Sequence, residues 1–115
     1  VMSEVAVTVE FGAYTEYVPA DLKGGTELLL APPHAKIHRI TLPVAQSSPP
    51  TVRTLVEYIR THLINEREEL FVEEGSVRPG ILVLINDSDW ELEGEMNYEL
   101  QSGDRIVFIS TLHGG

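Results

Sequence analysis

Hydrophobic and polar residues alternate in two stretches of the N-terminal half of the chain. In residues 4–11, EVAVTVEF, every second residue is Val or Phe. In residues 36–42, KIHRITL, the alternate positions are His38, Ile40 and Leu42. A period of two residues is typical of a strand with one buried face, so both stretches are predicted to be half-buried strands.

The segment between these strands has no sustained period. Residues 12–25 contain three glycines and Pro19, which predicts a long surface loop. Thr26 is predicted to cap a short helix over residues 27–30, because the two prolines at 32 and 33 cannot continue a helix.

One amphipathic helix is the clearest element of the sequence. A loop over residues 43–50 leads to Thr51, a suitable N-cap residue. The apolar side chains that follow recur at three- and four-residue intervals, which places them on one face of a helix. These residues are Val52, Leu55, Val56, Ile59 and Leu63. The pattern predicts a single helix packed on a sheet.

The C-terminal half contains several further strands. Residues 70–72 are predicted to be a short strand, and the sequence Arg78-Pro79-Gly80 has Pro and Gly in the order that a type II turn requires. The continuous apolar run Ile81–Ile85 is predicted to be a strand inside the sheet, covered on both faces.

An acidic, turn-like stretch separates this strand from the last one. Residues 86–95 are expected to be anchored by the apolar side chains of Trp90 and Leu92. A Gly-Asp turn at residues 103–104 then precedes Arg105–Ser110, a strongly apolar strand. Two strands precede the helix in the sequence and further strands follow it, without an alternating βαβ series. This order predicts an α+β fold with a mixed sheet.

Length and composition limit the class of protein. With 115 residues and 43% hydrophobic residues, the chain can form one core but has little room for a deep catalytic cavity. We assign residues 2–110 to the domain and residues 111–115 to a flexible tail. The absence of cysteine excludes disulfides, thiolate zinc sites and a cysteine nucleophile.

The charge of the chain bears on its partners. Eighteen acidic residues against eight basic ones give a formal net charge of −10, which disfavours direct binding to nucleic acid. The acids concentrate in residues 66–74 and 87–99, where a partner with a basic groove would dock. No apolar run approaches the length of a membrane span, so we expect a soluble, cytoplasmic protein without membrane contact.

Candidate metal and catalytic residues do not form a recognisable site. His34 and His38 flank a strand start, so their spacing does not bring them onto one metal, and His62 stands alone on the helix. The acids of residues 87–93 resemble a calcium loop, but Leu92 occupies the position that requires Gly. We therefore expect no metal site and no catalytic residue.

The C-terminal sequence Thr111-Leu112-His113-Gly114-Gly115 is the most informative feature. Glycine adds nothing to a core, but it leaves the terminal carboxylate unhindered and able to enter a narrow channel. A carboxylate is a poor electrophile, so another enzyme would have to activate it, as an acyl adenylate, before transfer to sulfur. A frayed end without function is the alternative, and His113 could assist proton transfer or serve recognition.

Three motifs resemble the ubiquitin-related modifier family. They are SVRPGILVLINDSD at residues 76–89, WELEGE at 90–95 and FISTLHGG at 108–115. Weaker matches are VEFG at 9–12, GGTELLL at 24–30 and HRITLP at 38–43, while the stretch between Gly12 and Gly24 is longer than the family's usual connection. The resemblance implies a β-grasp fold.

The resemblance also implies a function in which the chain itself catalyses nothing. An ATP-dependent enzyme of the ubiquitin-activating type would adenylate Gly115, and its rhodanese-like domain would deliver sulfur to form a thiocarboxylate. A thiolase complex would use that sulfur to make 2-thiouridine at the wobble position of transfer RNA. The last glycine would also be conjugated to lysines of target proteins. Thr111, Leu112, His113 and Gly114 would be read by the activating enzyme.

No cofactor is expected on the chain, since ATP and the sulfur donor belong to the activating enzyme. Two other functions remain open from the sequence. One is a noncovalent interaction module with a dispensable tail, and the other is the small subunit of a molybdopterin synthase, which also ends in diglycine.

Overall fold

The computed structural model describes residues 3–13, 36–45, 48–64 and 67–110. Its centre is a five-stranded sheet made of β1 (Glu4–Ala13), β2 (Ile37–Pro43), β5 (Ile81–Ile85), β6 (Ser88–Asp89) and β7 (Arg105–Ser110). The strands lie in the order β2-β1-β7-β5-β6. β1 runs antiparallel to β2 and parallel to β7, and β5 runs antiparallel to both β7 and β6, so the sheet is mixed.

The first two strands confirm the alternating pattern, but β1 ends later than predicted. Val5, Val7, Val9 and Phe11 are buried, but β1 continues to Ala13, so the loop predicted from Gly12 onward is wrong at its first two residues. The backbone there pairs with β7, which extends the strand beyond the alternating residues. The rest of that loop, Thr26 and the predicted helix at 27–30 lie outside the described residues.

Helix α1 (Val52–His62) begins where the sequence predicts. The Thr51 side chain accepts a hydrogen bond from the Thr54 amide, and the Thr54 hydroxyl accepts one from the Thr51 amide, which forms a capping box. Four of the five stripe residues are buried, and Leu63 is a half-buried C-cap residue. The apolar stripe therefore fixes how the helix rests on the sheet.

A second, two-stranded sheet follows the helix. β3 (Val72–Glu73) pairs with β4 (Ser76–Val77). The predicted strand at residues 70–72 is thus misplaced, because Leu70 ends a 3₁₀ turn, Glu68–Leu70. The predicted turn before β5 is confirmed: the Ile81 amide donates to the Arg78 carbonyl (3.2 Å), and Gly80 has a φ of +100°.

Three aromatic rings form the centre of the core between the helix and the sheet. The rings of Phe11 and Phe108 stack at 5.6 Å, and Phe71 meets Phe108 edge-on at 5.2 Å. All three side chains are buried, and each contributes roughly 2 to 3 kcal/mol by leaving water. The core confirms the predicted α+β class, with one main helix across a mixed sheet.

The acidic stretch after β5 packs differently from the prediction. Trp90 packs against the core, but Leu92 is 78% exposed and does not anchor the turn; Met96 is the buried residue there. The Asp89 carboxylate accepts from the Glu91 amide (2.9 Å) and caps a 3₁₀ turn at Trp90–Leu92, whose last side chain projects outward. Among the described residues, no helix has the length and hydropathy that a bilayer span requires.

Candidate functional site

The last strand, β7, leads directly to the candidate tail. β7 lies between β1 and β5, and its final residue Ser110 pairs with Ala13 on one side and Ile81 on the other. Because neighbouring strands hold β7 along both edges, the point where the chain leaves the sheet is fixed. Thr111, Leu112, His113, Gly114 and Gly115 lie outside the described residues, so their roles stay predictions.

A buried carboxylate holds the start of β7. Asp104 is 6% exposed and accepts hydrogen bonds from the Asn86 side-chain amide (2.9 Å), the Tyr98 hydroxyl (2.8 Å) and the Gln101 backbone amide (2.8 Å). Asn86 in turn accepts from the Arg105 backbone amide (2.9 Å). These bonds join the turn after β5 to the turn before β7, and they satisfy a charge that would otherwise be costly to bury.

The same contacts perturb Tyr98. Burial, and then its hydrogen bond to the Asp104 carboxylate, raise the pKa of Tyr98 to about 12. The phenol is therefore neutral at physiological pH and acts as a donor to the carboxylate. The sequence identifies Asp104 only as a turn residue, because its Asn86 partner lies 18 residues away and its nearer partners, Gln101 and Tyr98, form no recognisable motif with it.

The sheet face opposite the helix carries an apolar patch. Leu82 and Leu84 of β5 and Val107 and Ile109 of β7 lie on this face, with Leu82 paired to Ile109 and Leu84 to Val107. We call these four residues the open-face patch. Only Val107 is buried, at 9% exposure, and it is not part of the main core. β5 lies inside the sheet as predicted. Its expected coverage on both faces is wrong as far as the described residues show, because Leu82 and Leu84 are only half-buried and the one described helix covers the other face.

A groove of about 360 Å³ extends from this patch toward β2. Leu84, Val107 and Ile109 contribute apolar lining, and Ile37, which is 62% exposed, lines its β2 side. Charged residues also line the groove: Arg105 pairs with Glu10 and with Asp87, the latter at 2.7 Å. An apolar surface with charged borders is typical of a protein docking site.

The predicted acidic stretches lie at the surface. Within residues 67–74 and 87–99 of the described chain, every glutamate is exposed, as is Asp87. This exposure is compatible with the predicted docking of a basic partner and does not test it.

The histidines occupy unrelated positions. His38 is half-buried and meets the Phe11 ring edge-on at 5.6 Å, whereas His62 is exposed at the end of α1 and stacks on Tyr58 at 4.4 Å. His34 and His113 lie outside the described residues. Within the described ranges, no group of three or more His, Asp or Glu side chains could hold a metal ion.

One sequence signal could have revealed the open-face patch. The runs Ile81–Ile85 and Arg105–Ser110 are apolar at consecutive positions, so they supply apolar side chains to both faces of the sheet. The described chain has a single α-helix to cover them. Within the described residues, no second helix lies over the other face of these strands, which leaves its apolar groups to solvent or to a partner.

Comparisons with known proteins agree on one family. The family model Urm1 (Ubiquitin related modifier) matches residues 17–115. A ubiquitin-related modifier 1 of Mycosarcoma maydis is 58% identical, covering 96% of this chain and 95% of that protein. Its Homo sapiens counterpart is 51% identical, covering 96% of each. The solution structure of Urm1 from Trypanosoma brucei superposes with a TM-score of 0.71 at 36% identity, covering 98% of both chains.

Proposed function

This chain belongs to the ubiquitin-related modifier family and is thus a β-grasp sulfur carrier and protein modifier rather than an enzyme. From this premise we propose that Gly115 is the residue that carries the sulfur and forms the conjugates. An activating enzyme and target proteins are its partners as a modifier. The finer steps proposed are the chemistry at Gly115, the nature of the activating enzyme and the destination of the sulfur.

Activation begins at the terminal carboxylate. A carboxylate oxygen of Gly115 attacks the α-phosphate of ATP on the activating enzyme, and pyrophosphate leaves. The outer sulfur of a persulfide on that enzyme's rhodanese-like domain attacks the acyl adenylate, AMP leaves, and an acyl disulfide forms. A thiol of the enzyme then attacks the enzyme-side sulfur of that bond, so that an enzyme disulfide forms and Gly115 leaves as a thiocarboxylate. ATP and the sulfur donor are thus used by the partner. The segment that threads into the partner's active site consists of Thr111, Leu112, His113 and Gly114.

The open-face patch is proposed to be the surface that the activating enzyme holds. Two of its residues, Val107 and Ile109, lie on the strand that leads into the tail. Five residues beyond Ser110 reach at most about 17 Å when extended. A partner that docks on this face therefore keeps Gly115 within a short distance of a fixed reaction centre, which raises its effective concentration there.

Two fates follow from an activated Gly115. A thiolase complex takes the thiocarboxylate sulfur for 2-thiouridine at the wobble position of transfer RNA. Alternatively, a lysine amine of a target protein attacks the activated Gly115 carbonyl carbon and forms an isopeptide bond, while AMP or sulfide leaves. We assign both reactions to the cytoplasm. The net charge of −10 supports delivery to an enzyme that binds transfer RNA rather than direct binding of the RNA by this chain.

The observation that supports this proposal most is the family match through residue 115, which includes the diglycine. The test is intact-protein mass spectrometry after incubation with ATP, a sulfur donor and a Urm1-activating enzyme. We expect a mass gain equal to replacement of one oxygen by sulfur, and no gain for the chain lacking Gly115. The control is that the same enzyme adds sulfur to another member of the family. If it does so and the mass of the full-length chain stays unchanged, the proposal is contradicted.

Deletion of Gly115 also separates the two alternatives. If the chain is a noncovalent module, deletion of Gly115 leaves both partner binding and 2-thiouridine formation in the cell unchanged. If the chain is the proposed carrier, the deletion abolishes 2-thiouridine formation. A molybdopterin synthase subunit would co-purify with a large catalytic subunit rather than with an activating enzyme.

A further inference from the structure

Strand β2 is one end of the five-stranded sheet, so among the described strands only one of its edges is paired. The register shows which residues face outward. The Phe11 amide donates to the Lys36 carbonyl (2.8 Å), and the Val44 amide donates to the Ser3 carbonyl (3.0 Å). Even-numbered residues of this segment therefore bond to β1, and the odd-numbered ones direct their N–H and C=O groups away from it.

The residues whose backbone groups point away from β1 are also exposed to solvent. Ile37, Arg39 and Thr41 are all exposed, and no strand in the described part of the chain pairs with this edge. Such an edge presents a row of donors and acceptors at the spacing that another extended chain needs. Beyond them, Pro43 has no N–H, so the usable edge ends at Thr41.

Arg39 gives this edge a charge opposite to that of the whole chain. The arginines at 60, 67 and 105 form ion pairs, but no described carboxylate pairs with Arg39. A single exposed cation on an edge strand, in a chain of net charge −10, favours an acidic segment at this position.

We propose that the β2 edge binds an extended acidic segment of a partner protein, which adds to the sheet as a sixth strand. Successive side chains of an added strand point to opposite faces. On the helix side they would lie beside Ile40 and Leu42, which favours branched apolar residues. On the other face they would lie beside Arg39, which favours Asp or Glu. The recognised segment thus alternates apolar and acidic residues.

A second copy of this chain fits the edge poorly. Antiparallel pairing of two β2 strands centred on Arg39 places the two arginines opposite each other, and like charges in that position are destabilising. Each copy also has a net charge of −10. The site is independent of the proposed function, because β2 is separated from β7 by β1 and binding here requires no chemistry at Gly115.

The test is titration of the ¹⁵N-labelled full chain with the peptide acetyl-Val-Asp-Val-Asp-Val-Asp-Val-amide, followed by NMR. We expect shifts centred on residues 37–43 and slower hydrogen exchange of the Ile37, Arg39 and Thr41 amides. Thr41→Pro should weaken binding about tenfold, because it removes an outward donor that the β1 ladder does not use. Thr41→Ala, which keeps that donor, should bind as the unmodified chain does.

A second variant tests the charge independently of any effect of proline on folding. Arg39→Glu should weaken binding of the Asp peptide by about threefold or more at low salt, and a peptide with Lys in place of Asp should then bind the variant better than the unmodified chain. The proposal is overturned if millimolar Asp peptide leaves residues 37–43 unshifted, if the shifts centre on the open-face patch, or if the edge is occupied by self-association without peptide.

Discussion

The two faces of the central sheet are built by the same strands and serve different purposes. On the helix side, Phe108 and Val83 are fully buried. On the other side, their chain neighbours Ile109 and Leu84 stay partly exposed, although they are equally apolar. Apolar residues on the first face stabilise the fold, whereas those on the second form the open-face patch that we propose as a docking surface. Because successive side chains of a strand point to opposite faces, one strand supplies residues to the core and residues to the proposed docking surface.

The largest expected effect compares adjacent residues of β7. Phe108→Ala removes a ring that packs on both Phe11 and Phe71, and it should lower the free energy of unfolding by about 3 to 5 kcal/mol. Ile109→Ala, on the open face, should lower it by about 1 kcal/mol. Urea denaturation measures both. Equal losses would show that the two faces do not differ as described.

The next effect concerns the turn that positions β7. Asp104→Ala removes a buried carboxylate that accepts three hydrogen bonds, one of them from the half-buried Tyr98 hydroxyl, and should cost about 2 to 3 kcal/mol in the free energy of unfolding. Asp87→Ala is a matched control, because this exposed carboxylate contacts Arg105 at the surface and its loss should cost less than about 1 kcal/mol. If Asp104→Ala lowers the free energy of unfolding as little as Asp87→Ala does, the buried carboxylate does not stabilise this turn.

A smaller effect is the pH dependence of the same turn. The folded-state pKa of Tyr98 is about 12, above its usual value near 10 in an unfolded chain. The folded state therefore holds the phenolic proton more tightly, so this contribution to stability is complete below pH 10 and is lost as the pH rises from about 10 to about 12.

Tyr98→Phe should remove that part of the alkaline loss. Its stability at neutral pH should fall by about 1 to 2 kcal/mol, because one hydrogen bond to a carboxylate is lost. Denaturation series at pH 8, 10 and 11.5 measure the slope. An unchanged slope in Tyr98→Phe would show that another group titrates there.

Much of the covered face could be predicted because its signals are local. The alternation of Val5, Val7 and Val9 and the cap at Thr51 each involve residues close in sequence. Continuous apolar runs were harder to interpret, since Ile81–Ile85 has the same composition whether one face or both are covered. Only the number of covering elements decides between these arrangements, and the described chain has one main helix.

The remaining errors involve directions and contacts that local patterns do not encode. Leu92 and Met96 are both apolar residues in an acidic turn, and the 3₁₀ turn capped by Asp89 decides that Leu92 points outward. Asp104 accepts hydrogen bonds from Gln101 and Tyr98, three and six residues away, and from Asn86, 18 residues away. No local pattern marks a carboxylate that follows a turn glycine as buried. The tail is identified from its diglycine chemistry together with the FISTLHGG motif, and its five residues lie outside the described part of the chain.

The most direct test of the open-face patch is the rate of Gly115 thiocarboxylation at varied carrier concentration. Leu84→Asp places a charge in the patch without touching the tail, and we expect the KM of the activating enzyme for the carrier to rise about tenfold with kcat nearly unchanged. Thr41→Asp adds the same charge at the edge of the same face and should leave both constants unchanged. Wild-type KM for Leu84→Asp, with its fold intact, would contradict docking on this face.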